Sequence, residues 1–206
     1  MKYNTSGTFS PSVPPTGDSL DAVAEQRPFR SWQPSTWPPP PAKVDPAFIA
    51  VLATIINESI LDEIGNVIQD ISKSNGDLQH RGHVVALALM CALEAISAYG
   101  YAANSNHFMA EFIANHFPEN YKPYADRIYK LYRTSLVHSW NLFEATILPS
   151  NEAICESQGA VCFGLLNFFE ALRTGVADFM ARLESDRKLQ ESCLRRYRKL
   201  KKTARP

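Results

Sequence analysis

The 206-residue chain has no Walker loop, no GxGxxG, no HExxH and no GxSxG. That joint absence removes sequence support for most nucleotide-, dinucleotide- and metal-driven chemistry. Its four cysteines (Cys91, Cys155, Cys162 and Cys193) show no CxxC spacing. A zinc ribbon or disulfide framework is therefore a poor reading, and a reducing cytoplasmic setting is the expectation. Met1 to Ser12 lacks the apolar stretch of a secretory signal. No apolar run is read as reaching the roughly 18 residues of a bilayer span, so no membrane partner is expected. No cofactor and no metal are expected. His80 and His83 sit three apart, but with no third ligand nearby capping or exposure is favoured. His107 and His116 flank a helix and read as structural or exposed.

Net charge is also absent, with 21 basic and 21 acidic side chains. The balance conceals segregation. Residues 187–206 hold nine Lys or Arg against Glu191 alone, so this end carries 9 − 1 = +8 and residues 1–186 carry 12 − 20 = −8. Such an end suits nucleic acid or an anionic surface, folding back on the acidic body, or plain solvation. The candidate nucleic-acid-binding residues are Arg195, Arg196, Arg198, Lys199, Lys201 and Lys202.

What remains is apolar enough, at 45% hydrophobic, to form a packed core. Ten of the fourteen prolines lie in the first 46 residues. Proline removes backbone donors and fixes φ, so residues 1–44 read as a flexible Pro-rich arm outside the core, with Phe29, Trp32 and Trp37 available for docking. Asp45-Pro46 then pairs an N-cap acceptor with proline at the first helical position. Apolar residues from Phe48 to Ile71 follow at steps of three and four, predicting one long helix stopped by Asn75-Gly76.

A second helix over about 83–103 is apolar on nearly every side and should be central, so Glu94 on it must face a partner or a cleft. Ser105 caps a third helix ended by Pro118, Pro123 opens a fourth, and an irregular stretch covers about 139–149. Ser150 or Asn151 caps a last, longest helix running from Ile154 to Leu183. Gly159, Gly164 and Gly175 within it mark close contacts or weak spots. No alternating strand stands out. The expected class is all-α: a bundle of about five helices over 45–186, preceded by the Pro-rich arm and followed by a basic C-terminal helix or tail over 187–206.

The fourth helix ends Tyr132-Arg133-Thr134-Ser135-Leu136-Val137-His138. An Arg, four intervening residues and a His near a helix end in an all-α bundle resembles the HEPN superfamily, the higher-eukaryote and prokaryote nucleotide-binding domain. The resemblance spans about 46–183, and its specific part is those two residues. It implies a metal-independent endoribonuclease working as a homodimer, with RNA as substrate and an antitoxin or regulatory protein as a further partner. Active members commonly carry Asn, Asp or His just after the Arg, where this chain has Thr134.

The chemistry fits those residue types. An imidazole titrates near neutrality and can shuttle the 2′-hydroxyl proton, while a guanidinium grips phosphate oxygens bidentately. Residues five apart on a helix lie about 140° apart around its axis, so a two-fold dimer would be needed to gather Arg133 and His138 around one groove. His138 is then the candidate acid/base and Arg133 the phosphate clamp, with Glu94, Ser139 and Asn141 as supporting candidates. The competing reading pairs Arg133 with an acid such as Glu94, places His138 at a helix cap, and makes the chain a non-catalytic helical dimerisation and interaction module.

Overall fold

A computed structural model describes residues 37–73, 78–102, 107–131, 145–148 and 151–203. These residues belong to one unit of the chain, 32–206. The architecture is predominantly helical. Helix α1 (Pro46–Ile56) begins where Asp45 accepts a hydrogen bond from the Phe48 N–H at 2.8 Å, with Pro46 at the first position. A π-helical turn over Asn57–Leu61 carries α1 into α2 (Asp62–Lys73), so the single predicted helix contains a local widening. Its predicted stripe is buried at Phe48, Leu52, Ile55, Ile56, Ile60, Ile64, Ile68 and Ile71, whereas Val67 is 46% exposed and lies beyond the stripe's edge. The Asn75-Gly76 stop and the Ser105 cap lie outside the described residues.

Helix α3 (Leu78–Gly100) is central, packing against α2, α4 (Phe108–His116), α6 (Leu165–Leu183) and α7 (Arg187–Thr203). Its window Gly82–Gly100 has a mean hydropathy of 1.6, long and apolar enough to cross a membrane, which corrects the expectation that no such run exists. The length threshold is met because Glu94 is the only charged residue in that window. Most of the window is buried inside the fold: Val85, Leu89, Leu93 and Ile96 face neighbouring helices, although Val84 is exposed.

The fourth predicted helix is described as far as Leu131, and its remainder lies outside the described residues. A 3-10 segment (Glu119–Tyr124) holds Pro123 and leads into α5 (Ala125–Lys130).

The region from 145 to 164 departs most from the sequence reading. Strands β1 (Ala145–Leu148), β2 (Cys155–Ser157) and β3 (Ala160–Gly164) form a small sheet in the order β1-β3-β2. β1 pairs with β3 in parallel, and β2 and β3 form a hairpin. Helix α6 therefore starts at Leu165, not near 151, and β1 falls within the stretch expected to be irregular. Ile154, Val161 and Leu165 match a helical period, but Gln158 and Gly159 have φ of 51° and 82°, which make a tight hairpin turn and break any helix there. Gly164 sits before α6 as its extended N-cap. Gly175 is a close contact: a Cβ there would lie 2.8 Å from the Phe117 ring.

Both ends of the predicted body join its core. Residues 187–203 form α7, the helix of the two forms expected there, and it packs on the body. Asp186 caps it, accepting from the N–H groups of Lys188 and Leu189 at 2.9 and 3.1 Å. Leu189, Cys193, Leu194 and Tyr197 are buried along its inner stripe. At the other end, Trp37 is buried in the same core, so residues 37–44 are not outside it. The Trp37 ring stacks on Tyr197 at 5.2 Å, and Phe48 meets Tyr197 edge-on. A proline-rich backbone makes no hydrogen bonds of its own, so its carbonyls are open to outside donors. Tyr197 Oη donates to the Pro38 carbonyl at 2.8 Å, Arg198 donates to those of Pro41 and Ala42, and Lys201 donates to that of Trp37.

Candidate nucleic-acid interface

Helix α7 presents two chemically distinct faces. Its inner face carries the apolar stripe. Its outer face exposes Arg187, Lys188, Arg195, Arg198, Lys199 and Lys202. Glu191, the one acid of this stretch, pairs with Arg187 at 3.1 Å, a contact between two exposed side chains that neutralises little. Between this face and residues 42–44 runs a cleft of about 710 Å³ lined by Lys43, Arg187, Arg195 and Arg198, with Glu191 among its walls. Neutral backbone carbonyls are the acceptors for Arg198, so they orient its guanidinium without cancelling its charge. Four cations around one open cleft can hold the spaced phosphates of a polyanion.

The six predicted cations do not all reach that surface. Arg195, Arg198, Lys199 and Lys202 do. Lys201 is half-buried and turned to the Trp37 carbonyl. Arg196 also turns inward: its Nε is buried with no hydrogen-bond partner among the described residues, as is the Tyr99 hydroxyl. Burial drives the Tyr99 phenol pKa upward, partly opposed by the Arg196 charge. Helical periodicity separates the two sets, since positions 196 and 201 fall beside the buried stripe through Leu189, Cys193 and Tyr197.

The Arg133, His138, Ser139 and Asn141 candidates lie outside the described residues, in the stretch between α5 and β1. Glu94 is half-buried on α3, and its backbone carbonyl accepts from Ser97 Oγ at 3.1 Å.

A second polar constellation went unread in the sequence. At the end of α4, His116 has a fully buried side chain. Its Nδ1 lies 2.6 Å from Asp178 Oδ2 on α6, and its Nε2 lies 2.7 Å from Tyr101 Oη. Arg182, one turn along α6, pairs with the same Asp178 oxygen at 3.0 Å and donates to the Asn115 carbonyl. Burial lowers the His116 pKa against the opposing hydrogen bond and charge of Asp178. A neutral ring protonated on Nδ1 satisfies every partner, donating to Asp178 and accepting from Tyr101. Burial also pushes the Tyr101 phenol up to about 12, which keeps it a donor. Phe112 and Phe179 enclose the ring at 4.8 and 5.4 Å. This is a satisfied tie between the turn that follows α3, the end of α4, and α6. The signal for it was Asp178, a single acid set between Val176 and Phe179 on an apolar stripe.

His107 is exposed, and its ring lies 4.8 Å from that of Tyr129, tilted by 42°. No family model, curated protein or solved structure matches this chain.

Proposed function

We propose that this chain is an RNA-binding helical domain of the HEPN-like kind, which grips the phosphate backbone with the outer face of α7. The observation that carries the reading is the charge segregation on α7: cations project from one face around a cleft, while the opposite face anchors the helix in the core. A packed helix holds those charges in a fixed array, so less ordering entropy is lost on binding than from a loose tail. The body outside this end carries the opposite charge, which repels RNA elsewhere and confines it to α7.

Within this proposal, Arg133 and His138 perform metal-independent cleavage across a homodimer groove. His138 takes the 2′-hydroxyl proton or returns one to the departing 5′-oxygen, and Arg133 stabilises the phosphorane charge. The purified protein in EDTA should cleave a single-stranded RNA labelled at its end. His138→Ala should abolish cleavage while RNA affinity and helicity stay unchanged. Binding without cleavage in the unaltered protein would leave an RNA-binding module with no nuclease. Equal cleavage by the variant would remove His138 from the mechanism.

A further inference from the structure

Outside the basic face, the β2–β3 hairpin sets two thiols against each other. Cys155 on β2 stands directly opposite Cys162 on β3. Residues facing each other across antiparallel strands project to the same side of the sheet, with Cβ atoms about 4.5–5.5 Å apart. A disulfide needs about 3.5–4.5 Å, so the hairpin must close by about 1 Å for the bond to form. Desolvation and the neighbouring Cys162 thiol both push the Cys155 pKa upward. Their environments differ as well: Cys155 is exposed, whereas Cys162 is buried at 8% exposure. The other two cysteines are far along the chain on α3 and α7, and Cys193 is sealed in the core with its pKa pushed up to about 12.

We propose that Cys155 and Cys162 form a reversible redox pair, closed by hydrogen peroxide. The exposed Cys155 thiolate attacks one peroxide oxygen, breaking the O–O bond and giving a sulfenic acid and hydroxide, which takes up the thiol's released proton as water. The Cys162 sulfur then attacks the Cys155 sulfur, expelling a second water as the S–S bond forms. In sum, two thiols lose two hydrogen atoms and one peroxide becomes two waters.

The bond pins the hairpin at the end away from its turn. That hairpin is also held near the turn by Arg127 of α5, which pairs with Glu156 at 2.9 Å and donates to the Gly159 carbonyl. β3 in turn carries β1 along its other edge. The closed form therefore clamps the sheet that receives the chain after the 132–144 stretch.

Glu-C digestion settles the linkage, because cleavage after Glu152, Glu156 and Glu170 puts Cys155 and Cys162 in separate peptides. Peroxide-treated full-length protein should lose two hydrogen atoms in mass and yield peptide 153–156 joined to peptide 157–170. Dithiothreitol should restore both. Cys155→Ser should lose the joined peptide altogether, and Cys162→Ser should leave Cys155 as a trappable sulfenic acid. A joined peptide containing Cys91, a disulfide between two chains, or Cys155 oxidised in the unaltered protein without joining Cys162 would each overturn the proposal.

Discussion

The His116 cluster and the outer face of α7 are both dense in polar groups, and they are built in opposite ways. Around His116 each donor meets an acceptor: Tyr101, Asp178 and Arg182 complete the set, and aromatic rings exclude water. On α7, exposed cations outnumber the single acid, and the acceptors beside them are neutral carbonyls. A closed network of this kind fixes helices against one another. An open array of one sign retains its attraction for something outside the molecule. Polar density alone does not mark a binding site; what distinguishes the two regions is whether the charge is already answered.

Three substitutions or titrations sharpen that contrast, and the largest effect belongs to the interior. Phe179 is fully buried against Phe112 and His116. Phe179→Ala should cost about 3–5 kcal/mol in denaturant unfolding, through lost burial and the cavity left behind. A loss under 1 kcal/mol, on the order of a surface change, would mean the region around His116 is loosely packed.

A smaller effect comes from proton linkage at His116. Its folded pKa lies below the ordinary 6.5, so between those two values the unfolded chain binds more protons than the folded one. Stability should accordingly be full above pH 6.5, fall as the pH drops below it, and level off beneath the folded pKa. His116→Gln should remove that part of the slope in thermal melts taken across the range. An unchanged slope would show that the ring is not held neutral by burial.

The smallest stability effect is expected on α7. Replacing Arg195, Lys199 and Lys202 with Gln alters exposed positions away from the core, each within about 0.5 kcal/mol of neutral. The same variant carries the largest functional change.

The helical frame was legible because long apolar stripes obey a 3.6-residue period. The run from Phe48 to Ile71 and the apolar 83–100 segment each map onto real helices. The sheet was hidden because Ile154, Val161 and Leu165 also fit that period, and the short strands lack the alternation of a half-exposed sheet: β2 is exposed throughout and β3 is buried from Val161 to Gly164. Only the Gln158-Gly159 turn distinguishes the two. The cations of α7 were visible as composition, but dividing outward Arg195 and Lys199 from inward Arg196 and Lys201 required the register set by Tyr197. His116 and Asp178 are 62 residues apart, and nothing local joins them. Arg133 and His138 were picked out by spacing alone.

The most direct test is the salt dependence of RNA binding. Fluorescence anisotropy with a labelled single-stranded RNA, repeated over a range of KCl, gives the logarithmic slope of affinity against salt. For single strands each phosphate contact adds about 0.7 to that slope, so loss of Arg195, Lys199 and Lys202 together should flatten it by about 2 and weaken binding at low salt. An unchanged slope and affinity in the triple variant, with the fold intact, would contradict the assignment of RNA binding to α7.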